Sequence, residues 1–152
     1  MPVTDEMICF SLYAASRATT QAYRKLLEPV GITYPQYLVL VILWNDGEQS
    51  VSSLGELLQL DSGTLSPLLK RMADAGLVTR ERRRGDERVV VVALAERGTA
   101  LRGQLSHIPA RIAAGTGLDS QESAAALLRT LQHLTETMQT TAAQAESQGK
   151  KD

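Results

Sequence analysis

The chain has one cysteine, and a lone thiol cannot close an intramolecular disulfide, so a disulfide-stapled scaffold is excluded and Cys9 is read as free in a reducing compartment. Histidine is nearly absent. His107 and His133 stand far apart and without cysteine or carboxylate at ligand spacing, which argues against a metal site. Long apolar runs are lacking: the longest, Tyr37 to Trp44 and Val89 to Ala95, fall well short of the roughly 20 residues that a spanning helix needs. The start, Met1-Pro2-Val3-Thr4-Asp5-Glu6, lacks the basic opening of a signal peptide. Together these absences predict a soluble, cytoplasmic protein with no membrane partner. Also missing are a glycine-rich phosphate loop, the residue order of a hydrolytic triad and a carboxylate pair, so nothing points to an enzyme or a bound cofactor. Aromatic residues are few and confined. Phe10, Tyr13, Tyr23, Tyr34, Tyr37 and Trp44 all follow Cys9 within the first third of the chain, which makes the tyrosine hydroxyls candidate donors to the thiol.

A formal net charge of −1 offers a polyanion no bulk attraction, but the distribution departs from the sum. Between Ser62 and Arg88 seven basic residues stand against four acidic ones, so that segment is +3 and the remainder −4. At 152 residues, 43% hydrophobic and 22% charged, the chain suits a single domain, 1–152, with one core or one core plus dimer helices.

Asp5 to Glu28 contains neither glycine nor proline and predicts one long helix, ended by Pro29 and Gly31. Pro35 marks the first turn of a second helix through Trp44, closed by Asn45-Asp46-Gly47. Ser50 to Leu60 reads as a short amphipathic helix carrying Val51, Leu54, Leu57 and Leu58. After the turn at Gln59-Leu60-Asp61 another helix begins between Asp61 and Thr64, carries Leu65, Leu68, Leu69 and Met72, and stops at Gly76. Two short helices joined so tightly form a helix-turn-helix. Pro67 leaves two options: the second helix begins as late as Thr64, or it bears the loss of a backbone bond. Leu77 to Arg83 and Arg88 to Leu94 are strand-like, and Arg84-Gly85-Asp86-Glu87 joins them as a hairpin with a charged tip.

A helix-turn-helix followed directly by a basic hairpin is the order of a winged helix. The expected fold class is therefore mainly α (α+β), with a winged helix-turn-helix over 50–94, its recognition helix at about 62–76 and its wing at about 77–94. From Ala95 the chain reads helical to about Ala114, and Gly115 to Gly117 breaks it. Asp119 or Ser120 caps a last helix carrying Ala124, Leu127, Leu131, Leu134 and Met138, and 141–152 reads as a flexible tail.

A recognition helix offers its N-terminal side chains to base edges in the major groove, which makes Ser62, Thr64 and Ser66 candidate readers. Lys70 and Arg71, one turn on, suit phosphates or bases. In the hairpin, Arg82, Arg83, Arg84 and Arg88 crowd a tip short enough to enter a minor groove. Asp86, two residues before Arg88 on an extended strand, is expected to hold its guanidinium. Taken singly these features have bland readings: helix caps, and a solvated loop with an ion pair worth under about 1 kcal/mol. Their order along the chain favours DNA.

The stretch Leu60-Asp61-Ser62-Gly63-Thr64-Leu65-Ser66-Pro67-Leu68-Leu69-Lys70-Arg71-Met72, then Gly76-Leu77-Val78, then Asp86-Glu87-Arg88, resembles the MarR family of dimeric winged-helix repressors. That family's wing motif, an Asp and an Arg separated by one residue, falls on Asp86 and Arg88. The resemblance implies a homodimer built by helices at 5–29 and 95–140, whose recognition helices address half-sites of a palindromic double-stranded DNA operator roughly 34 to 36 Å apart. Ile8-Cys9-Phe10-Ser11-Leu12-Tyr13-Ala14-Ala15-Ser16-Arg17 and Ile32-Thr33-Tyr34-Pro35-Gln36-Tyr37-Leu38 are similar to the family's organic-hydroperoxide-sensing branch of one-cysteine type, and the resemblance runs to about Thr137. It implies that Cys9 is the redox-sensing thiol, that Tyr23 and Tyr34 are its partners, and that an organic hydroperoxide is the inducer.

Tyr13, four residues after Cys9, shares its helix face and can approach it within one chain. Tyr23 is fourteen residues away on an unbroken helix, about 21 Å along the axis, so it reaches a Cys9 only from a second subunit. Ile8, Phe10 and Leu12 favour the neutral thiol, while the helix N-terminus and tyrosine donors favour thiolate; the resemblance implies thiolate. With no second cysteine in the chain, a Cys9 sulfenic acid must take up an external low-molecular-weight thiol, cyclise to a sulfenamide or overoxidise. Besides a winged-helix protein-interaction module, which predicts no salt-dependent DNA affinity, two other readings stay open. One is a repressor released by a small phenolic ligand between the dimer helices and the DNA-binding domain. The other is a thiol peroxidase using Cys9, which leaves the basic wing without purpose.

Overall fold

The computed structural model describes residues 3–149. Its elements are α1 (Ile8–Leu27), α2 (Tyr34–Asp46), β1 (Gln49–Ser50), α3 (Val51–Leu58), α4 (Ser62–Asp74), β2 (Val78–Arg83), β3 (Asp86–Leu94), α5 (Glu96–Gln104), α6 (Ile108–Gly115) and α7 (Gln121–Gly149). They divide into two compact units after Pro109.

In the first unit, α1 starts at Ile8 rather than Asp5. Val3–Glu6 forms a 3-10 turn and Met7 is extended, which makes Cys9 the second residue of the helix. Pro29 then turns the chain out through a 3-10 segment, Glu28–Val30, closed by a left-handed Gly31. Thr33 and Gln36 cap α2 reciprocally: the Gln36 N–H donates to the Thr33 hydroxyl and the Thr33 N–H to Gln36 Oε1. Ser50 caps α3, and Gln59, left-handed at φ 54, ends it. Asp61 caps α4, so the helix begins at Ser62 and bears Pro67 as its sixth residue. Pro67 cannot donate to the Gly63 carbonyl, a loss of roughly 3 kcal/mol in a helix interior. The helix persists because Leu65, Leu68, Leu69 and Met72 are all buried on its inner face.

The three strands are antiparallel in the order β1-β3-β2. The valine-rich β3 is thus the central strand, with Val92 buried and paired on one side to Gln49 and on the other to Arg80. The strand β1, only two residues long, carries no alternation that would announce it. The hairpin tip is shorter than the sequence suggests: Gly85, at φ 91, turns the chain so that Arg83 pairs with Asp86, while a register shift follows Arg82. The core of this unit is aliphatic, formed by Leu27, Val39, Leu40, Leu54, Leu69 and Leu77 among others, and no polar or charged described residue is buried.

One helix expected from Ala95 to Ala114 is instead two. Pro109 has no N–H to return to the Leu105 carbonyl, and the Ser106 hydroxyl turns back to the Gly103 carbonyl, so α5 ends at Gln104 and α6 starts at Ile108.

In the second unit Ser120 caps α7, accepting the Ser123 N–H at 3.1 Å. The helix runs to Gly149, so the expected flexible tail is helical over 141–149, and its remainder lies outside the described residues. Ala142, Ala143 and Ala145 are strong helix formers, which explains the extension. No residue of α7 is buried, and Leu127, Leu128, Leu131 and Met138 are exposed. No single helix among the described residues is long and apolar enough to cross a membrane.

Candidate sensing site and nucleic-acid interface

Cys9 is exposed on the first turn of α1, and no hydrogen bond to its sulfur forms among the described residues. Met7 supplies no side-chain cap, so the positive end of the helix dipole lies at the thiol. Tyr13, expected beside Cys9, is also exposed, and the Arg17 guanidinium stands over its ring at 5.5 Å.

Tyr23 and Tyr34 do meet. The fifth turn of α1 brings the Tyr23 ring onto the Tyr34 ring with centroids 4.0 Å apart and planes nearly parallel. Tyr37, one turn along α2 and absent from the sequence-derived partners, completes the cluster at 5.7 Å from Tyr23 and meets Trp44 edge-on at 6.1 Å. Its signal was the i, i+3 spacing from Tyr34, which puts both rings on one helix face. Burial, then the neighbouring hydroxyls of Tyr34 and Tyr37, then a hydrogen bond with Tyr34, push the Tyr23 phenol up to about 12. Burial first and Tyr34 second also raise Tyr37. Both phenols therefore keep their protons near neutral pH and remain hydrogen-bond donors. A hollow of about 400 Å³, lined by Ile32, Thr33, Tyr34 and Pro35 with Thr20 and Arg24 opposite, opens beside this cluster.

α1 is continuous from Ile8 to Leu27, so Cys9 and Tyr23 of one chain are held about 21 Å apart by helical rise. The tyrosine cluster and the thiol occupy opposite ends of one rod.

At the candidate recognition helix, Ser62 and Thr64 are exposed at the start of α4 and Ser66 is half-buried. Asp61 organises this end. Its carboxylate accepts the Thr64 N–H at 2.8 Å and the Thr64 hydroxyl at 3.3 Å, so the cap falls to Asp61 while Ser62 faces outward. Lys70 is paired with Asp74 at 3.1 Å and Arg71 is exposed. An exposed pair of that kind is worth at most about 1 kcal/mol, so Lys70 can exchange Asp74 for a phosphate. Arg84 sits at the hairpin tip beside Gly85, and Arg88 is exposed on β3.

Asp86 does not hold the Arg88 guanidinium, as the spacing suggested. Its carboxylate accepts the Arg88 backbone N–H at 3.2 Å, the short reach of an Asx turn, and so fixes the bend of the wing and leaves the guanidinium outward. Arg82 also serves the wing, donating to the Glu87 carbonyl at 3.0 Å. Among the described residues no cluster of His, Cys, Asp and Glu could hold a metal.

Residues 32–90 match the MarR family model. The chain is 45% identical over 134 residues to the organic hydroperoxide resistance transcriptional regulator of Bacillus subtilis, covering 88% of this chain and 90% of that protein. Two solved structures of AbfR bound to DNA share 36% identity with it, covering 86% of this chain and 91% of theirs. The reduced form superposes with a TM-score of 0.73 and the overoxidised form with 0.71.

Proposed function

We propose, since the chain belongs to the MarR family, that it is a redox-sensing transcriptional repressor of the cytoplasm, released from DNA when an organic hydroperoxide oxidises Cys9. The observation that carries this reading is the placement of Cys9 at one end of α1 and the stacked Tyr23–Tyr34 pair at the other. A homodimer with antiparallel α1 helices closes the gap: Tyr23 and Tyr34 of one chain reach Cys9 of the partner subunit and donate to its sulfur. The apolar exposure of α1 at Ile8 and Phe10, and of α7 along Leu127, Leu131 and Met138, supplies surface for such a pairing.

In this dimer each α4 enters a major groove at successive half-sites of a palindrome, with Ser62, Thr64 and Ser66 toward base edges and Lys70 and Arg71 on phosphates. Each wing lays Arg84 and Arg88 along the adjacent minor groove, with Asp86 fixing the backbone bend before Arg88.

The Cys9 thiolate attacks the distal oxygen of the hydroperoxide. An S–O bond forms, the O–O bond breaks, and the departing alkoxide takes a proton to leave as an alcohol. The sulfenic acid then condenses with a low-molecular-weight thiol, expelling water and leaving a mixed disulfide. AbfR has been solved on DNA both reduced and overoxidised, which supports a bulky adduct rather than added oxygen alone as the releasing species here.

A mobility shift on the DNA upstream of this chain's own coding sequence tests the reading, using cumene hydroperoxide with and without cysteine as external thiol. The wild type binds, and lets go after hydroperoxide with cysteine but not after hydroperoxide alone. Cys9→Ser binds as tightly and stays bound. Release of Cys9→Ser by the hydroperoxide would sink the mechanism, and its release by a phenolic acid would favour a ligand-gated repressor instead.

A further inference from the structure

Arg97, on the first turn of α5, belongs to neither half of the site, yet its guanidinium closes two helix ends at once. Nη2 donates to the Val30 carbonyl at 2.8 Å and Nη1 to the Ala75 carbonyl at 3.2 Å. Each of these carbonyls precedes a left-handed glycine, Gly31 at φ 70 and Gly76 at φ 71. Both are helix termini, where the last carbonyls lack intrahelical partners and carry the negative end of the dipole. A planar fork with fixed donor directions suits two converging carbonyls in a way that a point-charge ammonium does not.

The two ends belong to the two functions. Val30 closes the turn that leads through Thr33 into Tyr34, and Ala75 is the C-cap of α4. The next residue, Gly98, is fixed from the other side. Its carbonyl accepts Trp44 Nε1 at 2.9 Å, and Trp44 ends the ring array that starts at Tyr23 and Tyr34. Gly98 also lies against the start of the wing so closely that a Cβ would stand 2.0 Å from the Leu77 carbonyl oxygen. The first turn of α5 thus touches the tyrosine cluster through Val30 and Trp44, and the DNA-reading elements through Ala75 and Leu77.

We propose that Arg97 is a positioning residue that couples the tyrosine cluster to the recognition helix, carrying a displacement of the Tyr34 turn on Cys9 oxidation to the C-terminal end of α4. The inference rests on the repressor reading above. With the guanidinium in place the two helix ends move together. Without it, α4 stays anchored by Leu65, Leu68, Leu69 and Met72, and the Tyr34 turn shifts without taking α4 with it.

Arg97→Met keeps the stem and removes both donors, and Arg97→Lys leaves an ammonium able to serve one carbonyl. Operator affinity is measured by fluorescence anisotropy for the full-length protein, reduced and after cumene hydroperoxide plus cysteine, with Cys9 oxidation followed by intact mass. Arg97→Met should oxidise at the wild-type rate and bind operator, when reduced, within about threefold of wild type. The ratio of reduced to oxidised affinity should fall by about tenfold or more, with Arg97→Lys between. An unchanged ratio in Arg97→Met overturns the coupling role, as does loss of reduced-state binding together with a lowered melting temperature, which marks a merely structural residue. A wild type that never releases after oxidation fails the sensor reading instead, and is told apart because no variant is involved.

Discussion

A tyrosine in water gives up its proton near pH 10, and Tyr23 holds on to about 12 because ionising it would place a phenolate in a half-buried stack beside two more phenols. The unfolded chain releases this proton from about pH 10 upward and the folded chain only near 12, so the cluster's contribution to stability is whole below pH 10 and is lost as the pH rises toward 12. An ultraviolet titration at 295 nm should show one tyrosine step displaced to about 12, absent in Tyr23→Phe, whose unfolding midpoint should also fall less steeply between pH 10 and 12. A single step near 10 for all four tyrosines would remove the cluster. At the start of α4 one carboxylate matters in the same local way. Asp61→Ala removes the acceptor for the Thr64 N–H and should cost about 1 kcal/mol in chemical denaturation.

At the scale of elements, α4 bears a defect that can be repaired. Pro67→Ala restores a donor to the Gly63 carbonyl, worth roughly 3 kcal/mol, against up to about 1 kcal/mol of added freedom in the unfolded chain. Thermal unfolding should therefore show Pro67→Ala stabilised by about 2 kcal/mol. Gly98→Ala should do the reverse, losing about 3 kcal/mol or more, since α5 must lift off the Leu77 carbonyl to admit the methyl. Both residues also mark where the sequence could be read and where it could not. The helix-turn-helix was legible because Val51, Leu54, Leu65, Leu68 and Met72 repeat at helical spacing around a turn, and the wing because valines cluster in β3. Whether Pro67 delayed α4 or burdened it turned on buried leucines, which a local pattern does not weigh. Pro109 was a readable break that a purely apolar count passed over, and Thr33-Tyr34-Pro35-Gln36 a readable capping box. The pair β1 to β3, the Arg97 bridge and the Trp44 bond to Gly98 join residues far apart in the chain, and only the fold brings them together.

At the scale of the molecule, α1 and α7 are amphipathic rods lacking enough chain of their own to cover them. α1 buries only Leu27, and α7 buries nothing along 29 residues. An isolated helix gains little from propensity alone, so most of its stability in a folded protein comes from packing an apolar face. In the proposed homodimer a second copy of the chain would supply that face, and would also bring Cys9 to a tyrosine cluster that its own chain holds about 21 Å away along α1. Dimerisation and sensing therefore stand or fall together. Replacing Leu127 and Leu131 by Glu should turn a dimer into a monomer in sedimentation equilibrium. Each α4 then binds its half-site alone, and the loss of the linked second contact should weaken operator binding by about a hundredfold or more. The same variant should also oxidise more slowly at Cys9, since in the proposed dimer the tyrosine donors to its sulfur would come from the other subunit. Arg84→Ala, by contrast, should leave both the dimer and the oxidation rate alone and reduce the slope of log affinity against log salt by about 1 for each wing that withdraws its charge from the minor groove. A charged α7 face that still binds as a dimer would place the interface elsewhere and leave the thiol without its tyrosines.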